Sequence, residues 1–318
     1  FMLVVLHEYG HFLVAKRNGV EVEEFGVGFP PKLFGKTFGK GIFRSYYTVN
    51  LLPLGGFVRL KGENDAATEK GALGAASTNA KLRIMLAGVA VNFVAALIFF
   101  TIVAWVGMPQ IVPNQFTVAS DSKVIRQDVF AAKVTTGSPA DQAGIKAGSE
   151  IVSINNQPVT GGDSLVQATK ANAGQAVPVT YVQNGQEQTS QIMLLSQQEV
   201  QQSIDNGSPK GYLGVVPRDY TLLQSTWSAP VVAVGVSAQF TVLTLKALAN
   251  ALVSLAKAFV NLITFNANDA KKDAAKASEN VAGPVGIFAI LQQNVSLGYQ
   301  FILFIVGILS LTLAIMNF

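Results

Sequence analysis

Two histidines and a glutamate, His7, Glu8 and His11, stand in the run VLHEYGHFLVAK near the start of the chain. Ligand positions four residues apart share one face of a helix, and Glu8 projects on the adjacent side. Neutral imidazoles bind Zn2+, and bound zinc brings the pKa of its water to about 7. A glutamate beside that water can take its proton and pass it to a departing amine. The His-Glu-x-x-His spacing is therefore that of zinc-assisted peptide hydrolysis. These two are all the histidines the chain has, and they fall around a glutamate in an otherwise apolar segment. An ionisable side chain in such a segment is costly and by default functional, which argues against chance placement. The sequence thus nominates His7 and His11 as metal ligands, Glu8 as the catalytic residue and Zn2+ as the cofactor.

A catalytic zinc takes three protein ligands and keeps one position open. The chain has no third histidine and no cysteine, so the third ligand has to be a carboxylate. The longer motif with a further His six residues on is excluded, because Val14 and Arg17 occupy its Gly and His places. Glu21, Glu23 and Glu24 are candidates by proximity, although they sit among surface-type residues. The later apolar runs contain no Asp or Glu. The other source lies beyond Phe318, and the chain reads as a fragment truncated at both ends.

The elements that position these residues are those of a membrane protein. Of 318 residues, 50% are hydrophobic and 13% charged, the latter about half the share usual in a soluble domain. The net charge of +4 and the lack of a basic run with interleaved aromatics argue against nucleic acid as a partner. Without cysteine there is no disulfide and no thiolate site.

Residues 1–15 are read as the first transmembrane helix, N-terminally truncated, with the zinc motif, and 16–80 as a cytoplasmic, membrane-dipping β-rich segment. Two β-rich runs meet at Gly55-Gly56, as a hairpin or a bent strand. Residues 81–108 form a second, clear spanning helix in which Asn92 is the strongly polar side chain, with Trp105 suited to an interface. Residues 113–200 are polar with short β runs. There Ser138 can cap a helix that has Pro139 in its first position, Gly144 can close it, and EIVSI alternates as a strand. Asn155-Asn156 and Asn184-Gly185 suit tight turns. Residues 201–228 read as a surface linker. The stretch 229–264 is long and apolar but carries Lys246 and Lys257, and it either spans or lies in the interface with its lysines snorkelling. A polar segment follows (265–298), then a third span (299–318). Lysines and arginines near the ends of the 16–80 segment place it in the cytoplasm, and the 113–200 domain outside.

The chain resembles the site-2 proteases, intramembrane zinc metalloproteases of the bacterial RseP type, along essentially its whole length. The resemblance rests on HEYGHFLVAKRNGV, VNLLPLGGFVRLKGE, LAGVAVNFVAALIFF, GSPADQAGIKAGSEIVSINNQPV, GPVGI (283–287) and SLTLAIMNF, in that order. It implies a polytopic α-helical core with a membrane-associated β hairpin or sheet and an inserted, extracytoplasmic, mixed α/β PDZ-like domain over 113–200. It implies an aspartate ligand soon after Phe318, and makes Asn317 a substrate-binding residue. Asn92 matches an asparagine of the family's second span, and an interhelical hydrogen bond is the simpler role for it. The family departs from this chain at Val89, Pro30 and Ser149, where Pro, Gly and Asp are usual. The implied activity is cleavage of the transmembrane segments of single-pass proteins, such as anti-sigma factors or signal-peptide remnants, in the bacterial inner membrane. The alternatives are a non-catalytic membrane PDZ scaffold and a membrane zinc peptidase with a cytosolic active site.

Overall fold

The computed structural model describes residues 1–63, 67–264 and 297–318, with the single positions 269, 271, 272 and 275. The GPVGI loop and nearly all of the 265–298 segment lie outside the described residues. In chain order the elements are α1 (Met2–Arg17), β1 (Val22–Phe38), β2 (Ser45–Leu60), α2 (Thr78–Val106), β3 (Met108–Pro109) and β4 (Lys123–Val134). Then come α3 (Pro139–Gln142), β5 (Glu150–Ile154), β6 (Gln157–Pro158), α4 (Gly162–Ala171), β7 (Ala176–Gln183) and β8 (Gln186–Met193). The last four are α5 (Gln197–Asp205), β9 (Val215–Gln224), α6 (Ala229–Ile263) and α7 (Tyr299–Met316). The chain divides into two units, one of Phe1–Thr101, Ala233–Asn250 and Ile305–Phe318, the other of Ile102–Val232 and Ala251–Phe304.

In the first unit, Phe12 and Ala15 on one side of α1 are buried with Val20, Val22, Phe25, Leu60 and Ile84. Each such large apolar side chain contributes about 1.5–3 kcal/mol relative to exposure. Helices α1 and α2 meet at Gly10. A Cβ there would lie 2.7 Å from the Ala87 carbonyl oxygen and 2.9 Å from Val91 Cγ2. Backbones this close need the smallest residue, a recurring device for associating helices in lipid. Gly10→Leu is expected to destabilise the protein by about 1–3 kcal/mol or more, read as a lower Tm in detergent.

β1 and β2 are long and bent, and each pairs with the other along more than one leg. Residues 24–27 are flanked on one side by 46–49 and on the other by 56–59. Residues 45–50 also pair with 32–38. Gly55-Gly56 thus lies inside one bent strand, the second of the two readings that the sequence allowed. The 56–60 leg has 22–27 as its strand partner, and among the described residues no other strand pairs with it, although Glu63 bonds the backbone of Leu60.

Three described helices are long and apolar enough to cross a membrane: α2, α6 and α7. At 16 residues, or about 24 Å, α1 is not one of them. Residues 229–263 form a single 35-residue helix, about 52 Å long, so Lys246 and Lys257 interrupt the hydropathy but not the helix. Both lysines are exposed.

The second unit is built on a sheet of order β3-β9-β4-β5-β7-β8, with β6 on β5. Val129, Ile145, Ile151, Ile154, Val179 and Ile192 are among its core residues. The local signals act as expected: the Ser138 hydroxyl accepts from the Asp141 N–H at 3.3 Å, and α3 begins at Pro139. Gly144 has φ +80°, and Asn155, Asn156, Asn184 and Gly185 turn with φ between +50° and +76°. The linker assigned to 201–228 is a correction. That stretch holds the end of α5 and all of β9, which lies inside the sheet between β3 and β4. Pro217, Arg218 and Asp219 hide its alternation, which the buried Tyr220 and Leu222 carry. The sheet therefore runs from 108 to 224 rather than within 113–200.

Asp121 is buried and accepts hydrogen bonds from the backbone N–H and hydroxyl of both Thr226 and Ser228, at the start of α6. Those bonds, Ser228 first and then Thr226, hold its carboxyl well below the usual carboxylate range. A carboxylate with a lowered folded-state pKa stabilises fully above its unfolded value of about 3.9, and that contribution fades as pH falls further. Asp121→Asn is expected to lower the Tm at pH 7, with the gap from wild type narrowing below about pH 4.

Candidate metal centre

The site is built where α1 and α2 lie against each other. One helical turn separates His7 from His11, and their Nε2 atoms stand 3.2 Å apart. Two nitrogens each about 2.0–2.1 Å from one tetrahedral zinc stand about 3.3 Å apart, so the pair already has chelating spacing. Helix α2 contributes residues at intervals of four that face this pair. His11 Nδ1 donates to the Ile84 carbonyl at 2.7 Å, which fixes its proton on Nδ1 and leaves Nε2 free to bind. His7 Nδ1 lies 3.2 Å from the side-chain amide of Asn92, which is fully buried. Between these two, Gly88 covers both Nε2 atoms. A Cβ at Gly88 would fall 2.5 Å from His7 Nε2 and 2.6 Å from His11 Nε2.

Glu8 and His11 line a cavity of about 480 Å³ whose other walls include Phe57, Val58 and Leu60 of β2. Glu63, Lys81, Ile84 and Met85 complete much of the rest. A Cβ on Gly56 would come within 3.7 Å of Glu8 Cγ, so the open leg of β2 runs beside the glutamate. All three motif side chains are half-buried.

The other candidates are not brought to the pair. Glu24 bonds Thr48 and Arg59, Glu21 pairs with Lys61, and Glu23 is exposed. Among the described residues, no group of three His, Cys, Asp or Glu side chains could hold a metal ion. Asn317 is exposed at the end of α7, where its amide donates to the Leu313 carbonyl at 2.9 Å. It does not line the cavity of Glu8 and His11. Asn92 does bond across helices, as expected of it, and its partner is His7. Gly88 was missed by sequence reasoning. The one available signal was its place midway between Ile84 and Asn92, four residues from each.

These features agree with the proteins that the chain is similar to. A protein of Clostridium perfringens that bears a zinc metalloprotease name is 29% identical over 315 residues, covering 99% of this chain and 79% of that protein. A similarly named protein of Clostridium acetobutylicum is 32% identical over 187 residues, 58% of this chain and 48% of its own length. Zinc metalloprotease Rip1 of Mycobacterium bovis is 30% identical over 213 residues, 64% of this chain and 51% of its own. The chain thus spans about half the length of the latter two. The match to Peptidase family M50 extends over residues 1–318. With that match over the whole length and with zinc as the cofactor of the family, the chain belongs to peptidase family M50, the site-2 protease family.

Proposed function

We propose that this protein is an intramembrane endopeptidase that cuts the membrane-spanning segments of single-pass proteins. The observation that carries the reading is the pair of Nε2 atoms 3.2 Å apart beside Glu8, with three membrane-length helices among the described residues. His7 and His11 are the ligands present. The family resemblance supplies the third ligand as an aspartate, and makes Asn317 a contact for substrate. Zinc, when bound, supplies Lewis acidity that polarises the attacking water and the scissile carbonyl. Glu8 takes the proton of that water and hands it to the departing amine.

A spanning helix closes its own backbone bonds, so its peptide groups have to be opened before they can be hydrolysed. A strand edge offers replacement hydrogen bonds. Of the 46–61 region, residues 46–49 have partners on both sides, which leaves the 56–60 leg as the edge able to receive a substrate. That leg also walls the cavity of Glu8. The sheet of 108–224 is read as a PDZ-like domain, outside the cytoplasm of a bacterial inner membrane, that screens or binds the ectodomain of an approaching substrate. Anti-sigma factors and signal-peptide remnants are the substrate classes.

The test is co-reconstitution of the full-length protein with a single-pass substrate in bilayers. Cleavage within the apolar segment, lost on chelation and restored by zinc, is expected. Cuts confined to the substrate's soluble parts would overturn the reading.

A further inference from the structure

The buried amide of Asn92 has an unfinished hydrogen-bond account. As placed, its Nδ2 faces His7 Nδ1 at 3.2 Å, while its Oδ1 is buried with no partner. In this orientation Nδ2 donates to a lone pair on Nδ1, so the His7 proton sits on Nε2, facing the Nε2 of His11. That His7 tautomer cannot bind a metal through Nε2. Turning the amide over exchanges its two ends. Oδ1 then accepts from an Nδ1–H of His7, Nδ2 takes the place the oxygen held, and the Nε2 lone pairs of both histidines converge. His11 has its own acceptor in the Ile84 carbonyl, and the Gly88 backbone also hydrogen-bonds the His7 ring.

We infer that Asn92 is a positioning residue for the metal centre, whose side-chain amide selects between the two tautomers of His7 by presenting either its N–H or its oxygen to Nδ1. The inference rests on the reading of His7 as a ligand. It also gives a reason for an amide rather than a carboxylate or hydrocarbon at this place: of these, an amide alone serves both tautomers. The Asn92 backbone carbonyl is itself held by the Ser310 hydroxyl at 2.8 Å, so α7 helps fix the register of the amide against α1.

The experiment measures Zn2+ affinity by chelator competition, and the Co2+ absorption spectrum, on full-length protein with Asn92→Leu and Asn92→Asp. Leu keeps the size and removes both donor and acceptor, and affinity is expected to fall about 10–100-fold, the usual effect of losing an outer-shell partner. Asp can only accept, and so holds His7 in the binding tautomer. It is expected to keep or raise the affinity and to restore the wild-type Co2+ spectrum. Wild-type affinity in Asn92→Leu, or equal losses in both variants, would overturn the inference. His7→Ala separates this from the underlying reading. If that variant bound zinc as wild type does, His7 would not be a ligand at all. If it lost zinc while Asn92→Leu kept it, the ligand assignment would stand and the role of Asn92 would fall.

Discussion

Glu8→Gln is expected to abolish cleavage of a reconstituted membrane substrate while leaving zinc content and Tm unchanged. Glutamine keeps the size and shape of the side chain beside β2 and in the cavity shared with His11. It cannot accept the proton of the attacking water, and that proton transfer is worth about 10²–10⁴ in rate. The proposed ligands His7 and His11 are untouched, so metal analysis should still return wild-type zinc. Normal turnover by the variant would refute the mechanism. Loss of both zinc and turnover would instead show Glu8 to be a structural part of the site.

Gly88→Ala should have an effect as large by a different route. The added methyl would sit 2.5–2.6 Å from the Nε2 atoms of both histidines, closer than carbon and nitrogen can come. Helix α2 has no reason to yield, since alanine favours a helix over glycine by about 1 kcal/mol. The imidazoles are side-chain ends and can swing away, and in doing so they give up their chelating spacing. The expected signature is a folded protein of equal or higher Tm with zinc affinity down on the order of 100-fold or more, beyond the usual outer-shell loss. Unchanged affinity would show that the two rings do not meet under α2.

What the sequence made legible follows the range over which each signal acts. The motif on α1 is complete within five residues, so the chemistry proposed for it needs no fold to be read. The Ser138 cap and the Asn184-Gly185 turn are likewise local, settled by backbone groups a few residues away. Gly88 could not be read this way. Its importance is the absence of an atom opposite side chains about eighty positions earlier, and glycine is frequent in membrane helices that hold no metal. The edge at 56–60 was half legible. The β-rich composition of 46–61 marked a strand, but which part stays open depends on residues 24–27 pairing on both sides. Strand β9 was lost because Pro217, Arg218 and Asp219 look like a loop until the neighbouring β4 supplies their context. The glutamates at 21, 23 and 24 stayed eligible as ligands until the bonds of Glu24 and Glu21 to β2 and Lys61 were seen.

Under the proposed function, the open leg of β2 also sets a mechanical condition on a substrate that lies along it. A residue advances about 1.5 Å along a helix and about 3.3 Å along a strand. Each residue that leaves a substrate helix to lie along 56–60 therefore lengthens the chain by about 1.8 Å, and five such residues by about 9 Å. That slack has to be drawn from somewhere. A substrate with a folded, bulky ectodomain pressed against the membrane has none to give, whereas one already trimmed to a short free end can feed its chain forward. Under the proposed function, susceptibility is then expected to depend on tether length as well as on sequence.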